Sequence, residues 1–192
     1  VAHTLILASA SPRRRDLLAQ IGITPDRIVA TNIDESPRER EAPGPHAARL
    51  AREKAAAAAT PASYVLAADT VVAIGRRIMP KAETRAQAES CLRLLSGRRH
   101  HVFTAITLVA PDGTQAHRLS NTSVIFARLT GADIAAYLET GEWQGKAGGY
   151  AIQGRAAIFV RALSGSYSGV VGLPLHETAM LLRGKGYRPS AA

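Results

Sequence analysis

Leu5-Ile-Leu-Ala-Ser-Ala-Ser-Pro-Arg-Arg-Arg-Asp-Leu-Leu18 reads as a strand, a turn and a helix. Leu5, Ile6 and Leu7 are a short apolar run of the buried-strand type. Ser11 stands where a helix N-cap belongs, and Pro12 at the first helical position, where a missing N–H costs nothing. Leu17, Leu18 and Ile21 continue at helical spacing until Gly22 stops them. The turn collects Ser9, Ser11, free backbone N–H groups and three arginines, Arg13, Arg14 and Arg15. First helical turns favour acids, because the N-terminal end of the helix dipole is positive. Three arginines there oppose the dipole, and an anionic ligand at the turn would reconcile them. Ordinary capping with solvated arginines explains the same residues, so the stretch alone leaves both readings open.

Working outward, Arg27-Ile-Val-Ala30 predicts a second strand, and Thr31–Pro45 a polar loop that carries Asp34 and Glu35. Ala47–Thr60 predicts an alanine-rich helix stopped by Pro61, with Arg49, Arg52, Glu53 and Lys54 on a solvated face. Tyr64–Ile74 is the strongest strand signal, apolar on both faces as a central strand is. Asp69 lies inside it, where a carboxylate is costly unless paired, hydrogen-bonded or metal-bound. Buried carboxylates gather at functional sites, although a structural ion pair would satisfy Asp69 equally.

After a Gly75-Arg-Arg turn, Ile78–Lys81 reads as a returning hairpin arm. Thr84–Ser96 predicts a capped helix with Cys91 on its apolar stripe. His101–Ala110 and Thr114–Leu129, joined by Pro111-Asp-Gly113, predict a long hairpin. His100 and His101 sit on opposite faces of that strand, which argues against one shared metal ion. Thr130-Gly-Ala-Asp133 opens a helix to about Glu139 with a capping box. Gly141–Gly154 is glycine-rich and carries Lys146 and Gln153. Ala156–Leu163 predicts a strand, Ser164–Gly169 a small-residue loop, and Leu173–Leu182 the last helix, with a loose tail over 183–192.

The chain has 192 residues, enough for one domain with a real core, and a formal charge of +9 that favours an anionic partner. The charge is scattered, with no like-charged block and no zinc-finger or RNA-binding signature, which argues against nucleic acid. A single cysteine excludes an internal disulfide. No apolar run approaches membrane-spanning length and no signal pattern opens the chain, so no membrane partner and a cytoplasmic location are expected. Strands and helices alternate early, which predicts an α/β sheet with mixed strand directions later and a ligand at the carboxyl ends of the strands.

Five stretches, in order and nearly end to end, resemble the Maf family of nucleoside triphosphate pyrophosphatases. They are Ser9-Ala-Ser-Pro-Arg-Arg14, Ala68-Asp-Thr70, Leu95-Ser-Gly-Arg98, Lys146-Ala-Gly-Gly-Tyr-Ala-Ile-Gln-Gly154 and Gly172-Leu-Pro-Leu175. The resemblance implies a mixed, twisted sheet flanked by helices, with a cleft between two lobes, similar to the inosine triphosphatase fold. It implies one 1–192 domain, usually dimeric, that cleaves a nucleoside triphosphate between the α and β phosphates and requires Mg²⁺ or Mn²⁺. By position, Asp69 matches the catalytic carboxylate, Glu35 and Asp69 the metal partners, and Ser9, Arg13, Arg14, Lys54 and Lys81 the phosphate-holding groups. Arg13, Thr70 and Gln153 match positions tied to substrate choice. The Tyr-Ala-Ile-Gln-Gly form of the loop looks like the subfamily acting on dTTP and UTP. Pro80-Lys81-Ala82 departs from the family's frequent Gly-Lys-Pro. The family's association with cell-division arrest implies the alternative of a regulatory protein that binds nucleotide or nucleic acid.

Overall fold

Strand β1 (Leu5–Ala8) turns directly into helix α1 (Pro12–Gln20), as the opening stretch predicts, and the two-residue β2 (Arg27–Ile28) follows. The structure is a computed structural model and describes residues 3–189. Next come α2 (Pro43–Ala57), β3 (Tyr64–Ile74), β4 (Arg77–Ile78), β5 (Lys81–Ala82) and α3 (Arg85–Leu95). The long hairpin is β6 (Arg99–Val109) and β7 (Gln115–Phe126), followed by α4 (Gly131–Leu138) and β8 (Lys146–Ala147). A 3-10 turn (Arg155–Phe159), β9 (Val160–Ser164), α5 (Tyr167–Val171) and α6 (Leu175–Gly184) complete the fold.

The main sheet runs β2-β1-β3-β6-β7-β9, with β4 also on β3. β2 and β3 lie parallel to β1, whereas β6, β7 and β9 are antiparallel, so the sheet is mixed. All four residues of β1 are fully buried, as expected for a strand with neighbours on both edges and helices on both faces. Alternation along β3 divides the core. Leu66, Ala68 and Val72 face the large cluster that includes Leu17 and Leu18 of α1 and Leu92 of α3. Val65 and Ala67 face Ala55 of α2, and Val71 faces Ala47 and Ala51 of the same helix.

The edges of β3 are occupied unequally. β6 pairs with it from Val65 to Ala73. On the other edge β1 pairs only as far as Ala67, then leaves the sheet as α1. β4 takes up that edge again at Ala73, with Met79 N–H donating to the Val72 carbonyl. Between them, among the described residues, Ala68–Val71 have no strand on one side, and this gap holds Asp69 and Thr70.

Several elements differ from expectation. α2 starts at Pro43 rather than Ala47, because prolines are tolerated in a first turn whose N–H groups have no intrahelical partner. It ends at Ala57, before Pro61 can act. The hairpin arm divides: Arg77–Ile78 returns onto β3, but Lys81–Ala82 leaves to pair with Lys146–Ala147 in a separate two-stranded sheet. The strand expected from Ala156 begins at Val160, after the 3-10 turn. The small-residue loop winds into α5, where Ser166 Oγ accepts from Gly169 N–H. The expected capping box of α4 is formed, and the expected Thr84 cap of α3 is likewise part of a full capping box with Gln87.

The tail is held as far as Tyr187: the Tyr64 hydroxyl donates to the Lys185 carbonyl, and the Tyr187 ring packs edge-on against Tyr64. Residues 190–192 of the expected loose tail lie outside the described residues. Cys91 is buried in the core. No helix among the described residues is long and apolar enough to cross a membrane.

Candidate active site

A cavity of ≈ 250 Å³ opens at the gap in the sheet. The end of β1, the start of α1, the middle of β3 and the Val170–Gly172 corner wall one side, and β5, β8 and the glycine-rich loop wall the other. This is the expected cleft between two lobes. Ser9, Arg13, Arg14, Glu35, Lys54, Asp69, Thr70, Lys81 and Gln153 all line it. Asp69 and Thr70 are neighbours on a strand and point to opposite faces, yet both reach the cavity because no strand covers that edge.

Asp69 faces α2 and is 3% exposed. Lys54, one helical turn after the buried Leu50, enters from that helix and is 7% exposed. Its Nζ lies 2.6 Å from Asp69 Oδ1 and 2.6 Å from Glu35 Oε1. The residue-level expectation of a solvated Lys54 therefore fails, because α2 turns this face onto the sheet. Glu35 spans the cleft by also accepting from Lys81 Nζ. Burial alone would raise the Glu35 carboxyl, but hydrogen bonds from Lys54 and Lys81 outweigh it and hold it down at about 2.

The loop that carries Glu35 is fastened to α2. Arg49 donates to both Glu41 oxygens, at 2.7 and 2.8 Å, to Glu53 at 3.1 Å and to the Ser36 carbonyl at 3.0 Å. In the sequence Arg49 reads as one more solvated helix charge, and nothing local marks this anchoring.

The three arginines of the opening stretch take three roles. Arg14 is buried: Nε donates to the Gly172 carbonyl at 2.8 Å, Nη1 to Ser9 Oγ at 2.9 Å and Nη2 to Thr70 Oγ1 at 3.4 Å. Burial lowers its guanidinium pKa, Asp69 raises it again and Arg13 lowers it. Arg13 donates through Nε to the Val171 carbonyl at 3.3 Å, and burial lowers its pKa as well. Arg15 is exposed and pairs with Asp16 at 3.3 Å. No acid occupies the first turn of α1, and Ser11 makes no side-chain cap. Instead Ser9 Oγ accepts from Ser11 N–H at 3.2 Å.

Lys146, Tyr150 and Thr31 also line the cavity, beyond the residues assigned a role from sequence. Burial, and then Arg13, lower the Lys146 pKa. Five cationic side chains and two carboxylates thus face one space, a balance suited to a polyanion. Among the described residues no group of three or more His, Cys, Asp or Glu gathers as a metal cage. Glu35 and Asp69 nevertheless converge on one point, the Lys54 ammonium, and supply the hard oxygen donors that an Mg²⁺-type ion shares with ligand phosphates. His100 and His101 are apart from this site: His100 meets Tyr150 and His101 meets Asn121.

These features define a mixed α/β protein with a cationic cleft built for a polyanionic ligand. The chain belongs to the Maf family, whose profile, described as Maf-like protein, matches residues 4–185. A Caulobacter vibrioides protein named dTTP/UTP pyrophosphatase is 59% identical over 187 residues, covering 96% of this chain and 97% of its own. A Gluconobacter oxydans protein of the same name is 61% identical over 188 residues, covering 94% of this chain and 86% of its own. Among solved structures, a HAM1 protein from Coxiella burnetii shares the fold, with a TM-score of 0.50 and 17% identity over 95% of this chain and 99% of that one.

Proposed function

We propose that the protein hydrolyses dTTP and UTP between the α and β phosphates, giving the nucleoside monophosphate and diphosphate, and so clears the nucleotide pool. The observation that carries this reading is Asp69, a carboxylate buried on Lys54 at the gap in the sheet, inside a cavity rich in arginine and lysine. Relatives with that activity in their name align over nearly the whole chain.

In this reading Asp69 takes the proton of a water whose oxygen attacks the α phosphorus, and the α–β bridging P–O bond breaks. Lys54 holds the Asp69 carboxylate in place at 2.6 Å. Ser9, Arg13, Arg14, Lys54 and Lys81 bind the phosphates and neutralise the charge that builds on the departing diphosphate. Glu35 and Asp69 would hold a divalent cation, Mg²⁺ or Mn²⁺, which when bound draws charge from the phosphate oxygens. Arg13, Thr70 and Gln153 select the nucleoside, and the Gln153 amide can pair with a base edge through its donor and acceptor. The working form is a cytoplasmic homodimer.

The test is diphosphate release from a panel of nucleoside triphosphates with Mg²⁺. Turnover of dTTP and UTP above the other nucleotides is expected. Cleavage of another nucleotide with none of these two would overturn the substrate reading, and no cleavage at all would overturn the enzyme reading.

A further inference from the structure

Gln153 lines the cavity from a turn, and its side chain is exposed there. The turn closes where Gly154 N–H donates to the Ala151 carbonyl at 3.0 Å. Two side chains, from α4 and from the segment that leaves it, hold this turn at both ends. Tyr137, 3% exposed on α4, accepts from Ala151 N–H through its hydroxyl at 3.0 Å. Glu142 Oε2 accepts from Arg155 N–H at 2.8 Å. Both donors are backbone amides, so the direction of both bonds is fixed. Neither Tyr137 nor Glu142 is among the cavity-lining residues.

Gly154 is shaped to admit Glu142. Its φ is −104°, outside the left-handed region, so the backbone alone does not call for glycine. A Cβ built there would collide with the Glu142 carboxylate, with Cδ only 2.7 Å away. The carboxylate therefore lies where a side chain at 154 would have to be, and from that place it reaches Arg155 N–H. The Glu142 backbone is fixed in turn, since its N–H donates to Thr140 Oγ1 at 3.1 Å and Thr140 Oγ1 donates to the Tyr137 carbonyl at 2.7 Å. One compact corner at the end of α4 thus supplies both holds.

We propose that Glu142 and Tyr137 are positioning residues that clamp the Ala151–Arg155 turn and so aim the Gln153 amide before the nucleotide arrives. A long, exposed side chain reaches the same point each time only if its backbone is held. The clamp removes an ordering cost that a free turn would add to binding. It acts on nucleoside affinity and leaves the bond-breaking groups around Asp69 alone. This inference rests on the reaction proposed above and deepens its account of how Gln153 takes part in substrate choice.

The experiment measures kcat and KM for dTTP with the unaltered protein, Glu142→Ala, Glu142→Gln, Gly154→Ala, Tyr137→Phe, Gln153→Ala and the double variant Glu142→Ala/Gln153→Ala. Glu142→Ala will raise KM by about three- to tenfold with kcat close to unchanged. Glu142→Gln keeps an acceptor for Arg155 N–H and will retain most of the affinity. Gly154→Ala, whose methyl group displaces the carboxylate, will behave as Glu142→Ala does, and Tyr137→Phe will move KM in the same direction. With Gln153→Ala already present, Glu142→Ala will add almost nothing, because no amide is left to aim. A merely structural role would carry its full effect into that background. An unchanged KM in Glu142→Ala, or a Glu142→Ala effect equally large with and without the Gln153 amide, overturns the proposal. If Tyr137→Phe does not fold, the half-buried Glu142 still decides. Failure of the unaltered protein to cleave dTTP would defeat the proposed reaction and this inference with it, whereas cleavage without the coupling defeats only the present inference.

Discussion

The two halves of β3 differ both in composition and in what covers their edges. Tyr64–Ala67 pair with β1 on one side and, from Val65 on, with β6 on the other, and all four residues are buried. From Ala68 to Val71 the strand keeps β6 but has lost β1, and this half carries the acid and the cavity-lining threonine. The first half holds the fold together by filling space on both faces. The second half gives up one edge of hydrogen bonding and gains side chains from both faces in one cavity. Burying Asp69 there is costly, and the Lys54 ion pair at 2.6 Å offsets it.

The largest effect should come from the open half. Asp69→Asn keeps the size of the side chain and removes the carboxylate charge. Under the proposed mechanism it will lower kcat by about 10³-fold or more, while nucleotide binding, measured by calorimetry, survives. A variant that retains turnover would reduce Asp69 to a structural ion-pair partner and erase the functional contrast between the halves. The closed half should respond in the opposite sense. Leu66 is fully buried in the main core. Leu66→Ala will cost about 3 kcal/mol in urea unfolding, with kcat per folded molecule close to unchanged. A large fall in kcat in the folded variant would mean that the two halves are mechanically coupled.

Most of this fold is legible in the sequence because it is local. The run from Leu5 to Leu18 gives β1 and α1, the apolar stretch Tyr64–Ile74 gives β3 to the residue, and Thr84 and Thr130 cap the helices they were expected to cap. Asp69 is conspicuous because an acid in an apolar strand is costly wherever the strand lies. What stayed hidden depends on pairing between distant segments. Nothing near Lys81 reveals that β5 leaves the hairpin for β8, which is what brings Lys81 to Glu35. Lys54 looked solvated because an alanine-rich helix gives little contrast between its faces. Pro43 and Pro45 read as loop because prolines break helix interiors, although they suit a first turn. The Ser/Arg turn with Ser9 and the glycine-rich loop with Gln153 stand out from their residue types, whereas Lys54 and Lys81 are marked only by the family resemblance; the cavity brings all four together.

A third prediction concerns a buried polar group that supports the wall of the cavity without facing it. His100 is fully buried, with Nε2 2.8 Å from the Tyr150 hydroxyl, and Tyr150 lines the cavity. Burial pushes the His100 imidazole down to about 4, from an ordinary value near 6.5. The unfolded chain therefore takes up a proton at a higher pH than the folded one. The contribution to stability is complete above about pH 6.5, declines as the pH falls, and levels off below about pH 4. Across that window the loss is about 3 kcal/mol. His100→Gln should flatten this part of the stability-against-pH curve, measured by urea unfolding at successive pH values. An unchanged slope would mean that His100 is protonated without penalty, and that this wall is less dry than the closed half of β3.

The smallest expected effect tests how firmly the open half is furnished from outside the sheet. Glu35 reaches Lys54 from a loop, and the loop is tied down by Arg49 through Glu41 and the Ser36 carbonyl. A guanidinium can serve a carboxylate, a second carboxylate and a carbonyl at fixed angles, whereas an ammonium of the same charge cannot match that geometry. Arg49→Lys should therefore cost on the order of 1 kcal/mol of stability, and the 31–42 loop should be cleaved faster in limited proteolysis. Because Asp69 keeps its direct bond to Lys54, turnover should fall only a few-fold, far less than in Asp69→Asn. Equal proteolysis of the two proteins would show that Lys54 and Lys81 hold Glu35 by themselves. A loss of turnover as deep as that of Asp69→Asn would instead place the loop on the same footing as the strand, since the open edge would then depend on Glu35 as much as on the residues β3 carries.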